Sequence, residues 1–531
     1  MSDSRQLLRR VSGISLATMM SRILGLLRDQ VQSYFFGAGL VTDAYLAAFR
    51  IPNLLRDLFA EGALSSAFVP TFTREREHHG DEAAFRLARR LMTLMGVLLG
   101  LVTLGILLFA RGILKLYVPG FSGEKLDLAV DMTRIVSPFL LFVAFAAVAM
   151  GMLNTHGKFF LPALAPAFFN LSAIVAVITL VPVYRSLEIH PGLALATGAI
   201  LGGFLQFAVQ VPALHRVGFR FRPDLALRDP ALRRIGMLML PATFGLAATQ
   251  INILVDTILA SRFAGAITWL SLAFRLMQLP IGLFGVAIAT ANLARVSVDA
   301  ARSDHAAMRD NLAAAFRTAA FLTIPATAGL IALREPIVRM LFEHGRFGAL
   351  DSEKTAMAVL AYALGLSAYA VTKIQVPTFY ALGQTRLPVI ASATAVGLKI
   401  VCSLLLIRWL PRVDVDPFLG LALSTSVAAW TNFAILAGGL RRRIGSLSGR
   451  GIFNTSARVL LVSVAMAVAA HELHRMIEQA WSGGGIFGEV LRVLIAVGTG
   501  IVIFSLGCQL LRVPEATLVF DRLRRKILGG S

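Results

Sequence analysis

The chain has 531 residues, of which 56% are hydrophobic and 15% are charged, and its mean hydropathy is +0.73. A soluble domain carries about 25% charged residues, so this composition excludes a soluble protein. It predicts an all-α polytopic membrane protein, because helices satisfy their own backbone groups in lipid. The net charge of +21 does not indicate a nucleic-acid partner, since the basic residues lie mainly in short gaps between apolar runs and suit an anionic membrane surface.

Fourteen apolar stretches are each long enough to cross about 30 Å of hydrocarbon. The first, second, seventh and eighth are the least purely apolar. The two cysteines, Cys402 and Cys508, lie inside such stretches, so no disulfide framework is expected. We predict about fourteen transmembrane helices, near residues 11–36, 44–72, 88–110, 132–153, 160–183, 192–214, 235–261, 266–294, 311–333, 355–382, 386–409, 417–440, 455–474 and 488–511.

The distribution of Lys and Arg predicts the orientation. Gaps on the side of the N-terminus contain more than twice as many of these residues as the alternate gaps. Because basic loops stay in the cytoplasm, both termini are predicted to be cytoplasmic, which agrees with an even number of spans. The polar, basic start of the chain and its long first apolar stretch are not typical of a cleavable signal peptide.

Two motifs recur at nearly the same offset and indicate an internal repeat. Ala-Phe-Arg at 48–50 recurs at 273–275, and Gly-x-x-x-Leu-Pro at 157–162 recurs at 383–388. Two halves of six spans have the same orientation, which is typical of transporters that work by alternating access and less typical of channels. The predicted domains are an N-terminal six-helix bundle over 1–220, a C-terminal six-helix bundle over 221–445, and two added helices with a basic tail over 446–531.

Charged residues inside the predicted spans concentrate in the first two helices of each half. A charge at the bilayer centre costs at least about 2.5–3.5 kcal/mol, so it usually faces a cavity or a partner. We therefore expect these four helices to line a central cavity between the halves. Their ionisable residues are Arg22, Arg28 and Asp29 in the first, Asp43, Arg50, Arg56, Asp57 and Glu61 in the second, Asp256 and Arg262 in the seventh, and Arg275 in the eighth.

Arginine outnumbers carboxylate in this set, which predicts an anionic substrate. Guanidinium groups bind phosphate bidentately and stay charged, so a phosphate or diphosphate is the simplest ligand. The alternative is internal pairing, of Arg28 with Asp29 or Asp43 and of Arg56 with Glu61, and Arg50 has the further alternative of reaching to an interface. The predicted substrate-binding residues are Arg22, Arg28, Arg56, Arg275, Asp43 and Arg50, with roles for Arg317, Lys373 and Lys399 left open.

The motifs around these residues resemble the MurJ (MviN) family, the bacterial flippases for lipid II within the multidrug/oligosaccharidyl-lipid/polysaccharide exporter superfamily. The resemblance covers nearly the whole chain. It is carried by Ser-Arg-x-Leu-Gly-x-x-Arg-Asp at 21–29, Phe-Gly-Ala-Gly at 36–39, Thr-Asp-Ala at 42–44, Pro-Asn-Leu-Leu-Arg at 52–56, Phe-Ala-Glu-Gly-Ala at 59–63, Ala-Phe-Val-Pro at 67–70, Arg-Leu-Met at 275–277, and Phe-Tyr-x-x-Gly-x-Thr-x-x-Pro at 379–388.

This resemblance implies a flippase with a MATE-like fold in the bacterial inner membrane. The resemblance also implies that the protein is a transporter and not an enzyme, and that it needs no cofactor. Its substrate would be lipid II, an undecaprenyl-diphosphate-linked disaccharide peptide, with membrane lipids and the cell-wall synthesis machinery as further partners. The family's essential cavity arginines correspond to Arg22, Arg28 and Arg275, further functional positions correspond to Arg56 and Asp43, and the last two helices would form a groove for the polyprenyl tail.

The sequence departs from the family pattern at three places. Some members have a second basic residue where this chain has Asp57, and some have an acidic residue where it has Gln278. Some members bind a sodium ion among helices 7, 11 and 12. The eleventh span here has no carboxylate and carries Lys399, so we predict no such sodium site and no other metal.

Other functions remain as alternatives. An exporter of another polyprenyl-diphosphate-linked oligosaccharide would use a similar cavity, whereas a cationic-drug exporter would need carboxylates to dominate it. A membrane enzyme acting on polyprenyl phosphates would need acids, bases or metal ligands at a membrane face. The pairs His78/His79 and His471/His474 are interpreted as surface histidines. The positive-inside rule explains the basic linker 441–458, and binding of anionic headgroups there stays open.

Overall fold

A computed structural model describes residues 2–57, 63–226, 228–447, 449–481 and 483–517. Every regular element in these ranges is helical, which confirms the predicted all-α class. Glu61 and the basic residues of the C-terminal tail beyond residue 517 lie outside the described residues.

The chain forms two compact units. The first comprises Met1–Thr268 and His344–Phe347. The latter segment belongs to it because the Arg346 amide donates to the Tyr34 carbonyl at 2.9 Å. The helices of this unit are α1 (Ser2–Phe36), α2 (Leu40–Arg56), α3 (Ala63–Tyr117), α4 (Gly123–Val136), α5 (Phe139–Thr155), α6 (Phe160–Ser186), α7 (Leu193–Ala208), α8 (Val211–Arg216) and α9 (Pro230–Ala260).

The second unit comprises Trp269–Glu343 and Gly348–Ser531. A short π-helical turn, Ile281–Gly285, follows Pro280 and joins its first two helices. Its helices are α10 (Ala266–Pro280, whose first residues belong to the first unit), α11 (Val286–Ala301), α12 (His305–Ala332), α13 (Arg334–Phe342), α14 (Ala349–Ala363), α15 (Leu366–Ala381), α16 (Arg386–Trp409), α17 (Leu419–Ile444), α18 (Gly449–Ala480) and α19 (Gly485–Leu510).

Ten helical segments of the described chain are long and apolar enough to cross a membrane, and an eleventh is the pair α14 and α15, bent by 46° at its break. The prediction of a multi-pass membrane protein is therefore confirmed. The more polar helices α1, α2 and α9 are not among the ten. The predicted second span, 44–72, covers α2 and the start of α3, with residues 58–62 outside the described part.

The charged segment predicted as a gap at 72–88 is helical on both sides of Gly80, which has a φ of 81° and bends α3. Glycine adopts this positive φ without the steric penalty of a side chain. The Arg76–Asp81 ion pair spans the bend at 2.6 Å, and the helix after the bend carries a second ion pair, between Arg89 and Glu82 at 2.6 Å. The polar segment that precedes the predicted third span is therefore part of α3 and not a loop.

Small residues bring α6 and α7 together, because a Cβ on Gly202 would overlap the backbone of Phe169. Phe169 is also part of an aromatic cluster that places α2 against α5 and α6. Its ring centroid lies 5.8 Å from that of Phe49 and 5.5 Å from that of Phe139, and the latter two are 5.1 Å apart. This cluster fixes the part of α2 that carries Arg50.

Candidate functional site

Arg28 on α1 forms an ion pair with the next residue along the chain. Its Nη2 and Nε donate to Asp29 Oδ1 at 2.9 and 3.3 Å, and its guanidinium carbon lies 5.6 Å from the centroid of the Phe169 ring. The Arg28 side chain is only 13% exposed. Pairing with Asp29 was one of the two alternatives that the sequence left open. The guanidinium thus stays charged while one edge of it is committed to the protein.

Arg22, six residues earlier on α1, has a different environment. Its side chain is exposed, and no carboxylate lies within ion-pair distance among the described residues. The amide of Asn170 on α6 donates to the neighbouring Ser21 carbonyl at 3.0 Å, which fixes this turn of α1. Arg22 is thus held on a packed helix with its charge available to a ligand.

Arg56, at the end of α2, repeats the geometry of Arg28. Its Nη2 and Nε donate to Asp57 Oδ1 at 2.9 and 3.2 Å. The other carboxylate oxygen of Asp57 accepts a hydrogen bond from Gln250 Nε2 on α9 at 3.1 Å. Asp57, which the sequence marked as a departure, therefore partners Arg56 and joins α2 to α9.

Arg50, on the same helix, is half-buried beside the hydroxyl of Tyr117 on α3. It has no ion pair with any described carboxylate. The arginines of the first unit are thus of two kinds. Arg28 and Arg56 each have an adjacent aspartate, whereas Arg22 and Arg50 are not neutralised in the described part of the chain.

Asp43 is completely buried at the start of α2, and donors of its own unit surround its carboxylate. Oδ2 accepts from Lys125 Nζ at 2.7 Å and from the Gly265 amide at 2.8 Å. Oδ1 accepts from the amide and hydroxyl of Thr268 at 3.0 and 2.7 Å. The carboxylate thus caps a helix terminus and does not pair with Arg28, because the bonded amides belong to the first turn of α10 and the segment before it.

Sequence reasoning missed the partners of Asp43. One of these partners, Thr268, is the residue of the second half that corresponds to Asp43, because it follows Asp43 by 225 residues, the same offset that relates the two Ala-Phe-Arg motifs. No spacing in the sequence indicated Lys125, whose ammonium also lies 4.3 Å from the centroid of the Phe121 ring.

Arg275 is half-buried on α10 in the second unit, five residues before Pro280. The π-helical turn that begins after this proline widens the helix at Ile281–Gly285. Irregular turns of this kind occur often at functional sites. Arg275 therefore lies close to a break in its helix.

Comparison with known proteins identifies the family. The family described as lipid II flippase MurJ matches residues 32–491. The chain belongs to the lipid II flippase MurJ family. A probable lipid II flippase MurJ of Vibrio cholerae is 34% identical over 97% of this chain and 99% of its own, and the lipid II flippase MurJ of Burkholderia cenocepacia is 34% identical over 90% and 92%.

Solved structures agree with this assignment. A lipid II flippase MurJ in an inward closed conformation matches with a TM-score of 0.75 and 27% identity, over 93% of this chain and 98% of the other. An inward-facing MATE family transporter matches with a TM-score of 0.65 over 82% and 98%. Its 16% identity shows the shared fold alone, and that fold is the predicted MATE-like one.

Two other charges of this MurJ family member have clear environments in the second unit. Lys399 on α16 is 2% exposed, which places a buried ammonium on the helix where the sequence led us to expect no sodium site. Arg317 on α12 donates to Glu515 at 2.8 Å, so it connects the polar end of α12 to the segment after α19. Both arrangements suit structural roles.

The remaining candidates do not form a second chemical centre. His471 is exposed and lies 3.1 Å from the Ala332 carbonyl. His474 is buried, so its interpretation as a surface histidine was wrong, and it lies 3.9 Å from Glu478, which in turn pairs with Arg339. Among the described residues, no group of three or more potential ligands is arranged to hold a metal ion.

Proposed function

We propose that the protein transfers lipid II from the cytoplasmic to the periplasmic leaflet of the bacterial inner membrane by alternating access. The headgroup would enter a central cavity lined by the polar helices of the two halves, while the polyprenyl tail stays in lipid. Membership of the lipid II flippase family supports the substrate, and the relatives in Vibrio and Burkholderia carry the same description. The reaction changes the leaflet of the substrate and no covalent bond.

The observation that carries the mechanism is the presence of arginines without a carboxylate partner on helices of the membrane domain. Arg22 and Arg50 have no ion pair among the described residues. Removing such a charge from water is costly unless a counter-ion arrives. A diphosphate is such a counter-ion, and guanidinium groups bind its oxygens with charge-assisted hydrogen bonds. We propose that Arg22 and Arg50 bind the diphosphate directly. Arg275 is proposed as a further ligand because of its place on α10, close to the π-helical turn.

Arg28 and Arg56 would join the same site in a different way. In each, Nε and Nη2 point to the adjacent aspartate, and the Nη1 side of the planar group is aimed elsewhere. The aspartate holds the guanidinium in one orientation and makes the net charge of the pair zero, which would keep substrate release possible. Asp43 would serve the site as a fixed structural carboxylate and not as a ligand.

The proposed architecture has fourteen spans, with both termini in the cytoplasm. Two six-helix bundles of the same orientation, over 1–220 and 221–445, would rock about the central site. The two helices of 446–531 would guide the polyprenyl tail, and the cell-wall synthesis machinery would take up the product.

The decisive experiment depletes the native flippase of a bacterial host and expresses this gene. A leaflet-specific assay then measures lipid II on the outer face. Recovery of outer-leaflet lipid II is the expected result. Accumulation in the inner leaflet, despite normal amounts of the protein in the membrane, would refute the proposed function. Appearance of a covalently altered lipid would instead support the membrane-enzyme alternative.

A further inference from the structure

The second unit contains a cavity of about 300 Å³ where three turns meet. These are the turn between α11 and α12, the turn between α15 and α16, and the end of α17. All three belong to gaps that the excess of Lys and Arg assigns to the cytoplasmic face. The cavity therefore lies at the ends of membrane helices, at the predicted level of the inner-leaflet headgroups. Its polar lining consists of Ser303, His305, Gln384 and Arg443, and its apolar lining includes Leu382 and Ile444.

Arg443 is the charged group of this cavity. Its Nε donates to the amide oxygen of Gln384 at 2.8 Å, and its Nη2 donates to the same oxygen. Because an amide is neutral, this contact orients the guanidinium and leaves its charge uncompensated. No described carboxylate lies within ion-pair distance of Arg443. The Nη1 side of the Arg443 guanidinium is thus available to bind an anion.

The cavity wall is held in place. Arg309 on α12 donates to the Ile444 carbonyl at 2.9 Å and so connects α12 to the last turn of α17. Asp304, the nearest acidic residue along the chain, is committed to the N-terminus of α12, where its Oδ1 accepts from the amides of Ala306 and Ala307 at 3.1 and 2.9 Å. Its charge is therefore engaged by backbone donors of that turn.

The corresponding place in the first half is neutralised internally. At the repeat offset of 226, Arg302 and His305 correspond to Arg76 and His79. Arg76 pairs with Asp81 at 2.6 Å and donates to the Thr155 carbonyl at 2.8 Å. Position 81 corresponds to Ala307, so the second half has no acid there. At the same offset Arg443 corresponds to Val217, so the first half has no guanidinium at the position that would attract an anion.

We propose that this cavity binds the phosphodiester headgroup of an anionic inner-leaflet phospholipid such as phosphatidylglycerol. Arg443 holds the phosphate, Ser303 and His305 contact the polar head, and the apolar wall at Leu382 and Ile444 receives the glycerol end of the acyl chains. A free phosphate would not use that apolar wall. Basic pockets between membrane helices on the cytoplasmic side are a known form of anionic-lipid site. This site is separate from the proposed lipid II cavity and does not depend on the proposed transport.

The test measures binding of phosphatidylglycerol to the purified full-length protein by native mass spectrometry, with phosphatidylcholine as the neutral lipid. Arg443→Gln should lower the affinity for phosphatidylglycerol about tenfold or more, because it removes a charge-assisted hydrogen bond to phosphate. The matched control is Arg441→Gln, which removes the same charge from the same helix end outside the cavity and should change the affinity less than about threefold. Binding of phosphatidylcholine should be weak and equal in all three proteins.

An equal loss in both variants would overturn the proposal, since it would mean general attraction to a basic surface. Retention of full affinity by Arg443→Gln would also overturn it. Displacement of the lipid by millimolar inorganic phosphate would show a free-anion site and overturn the choice of ligand. If Arg443→Gln does not fold, as judged by its thermal unfolding, Leu382→Trp takes its place, because it fills the cavity from the apolar side and should cause the same loss.

Discussion

Replacing Asp43 by Asn tests whether this carboxylate is a structural element of the first unit. The buried Oδ2 accepts from Lys125 Nζ and from the Gly265 amide, at 2.7 and 2.8 Å. Each of the two carboxylate oxygens of Asp43 accepts from two donors. In the Asn variant an amide NH2 group replaces one of these oxygens, so the two donors that faced it lose their acceptor. The Lys125 side chain, 16% exposed, also loses its counter-ion.

The expected cost is large. A hydrogen bond to a charged group contributes about 1.5–3 kcal/mol, and removing one partner of a buried ion pair costs about 3–5 kcal/mol. We therefore expect Asp43→Asn to lower the free energy of unfolding by about 3–5 kcal/mol. Asp57→Asn is the matched control, because its pair with Arg56 is about one-quarter exposed and such pairs contribute about 1 kcal/mol or less.

Reversible unfolding in mixed detergent micelles measures both variants. The second substitution Lys125→Met, added to Asp43→Asn, should recover part of the loss, since it removes the uncompensated ammonium. If Asp43→Asn unfolds within about 1 kcal/mol of the original protein while transport is lost, Asp43 acts on the substrate and the structural interpretation is wrong.

Three other predictions follow from the charges. Arg22→Gln should lower lipid II transfer about tenfold or more at unchanged stability, because it removes a charge-assisted bond to the diphosphate. Normal transfer by a well-expressed variant would remove Arg22 from the site. Replacing sodium by potassium should leave the transfer rate unchanged, because α16 carries the buried Lys399 and has no carboxylate to bind the ion. A sodium-dependent rate in vesicles would contradict this. Burial alone would raise the pKa of Asp229, but hydrogen bonds from Arg90 and the Ala231 amide lower it below its ordinary value. The stabilisation from this pair is therefore complete above about pH 4 and lost as the pH falls through the lowered pKa. Arg90→Gln should lower the unfolding temperature at pH 7, and this decrease should become smaller as the pH falls below about 4. A decrease that stays the same as the pH falls would show that the pair does not carry the effect.

Much of the fold followed from local properties of the sequence. The length of each apolar stretch reflects the thickness of the hydrocarbon it crosses, and helices are the form in which one segment satisfies its own backbone in lipid. The helical class, the multi-pass character and the family motifs near Arg28 and Arg275 were therefore readable without coordinates. The bend at Gly80 was not predicted, because a polar segment outside the membrane continues as a helix when its ion pairs support it.

The sequence alone determined which charges lie on the helices that are predicted to span the membrane, and only the tertiary structure decided which of them are neutralised. Arg56 pairs with Asp57, and Glu61, the partner that the sequence had suggested, lies outside the described residues. Asp43 finds its donors at Lys125 and Thr268, which lie 82 and 225 residues further along the chain. Coulombic and hydrogen-bond energies fall steeply with distance, so pairing depends on which helices pack together and on the rotamers they allow, and the order of residues does not specify either.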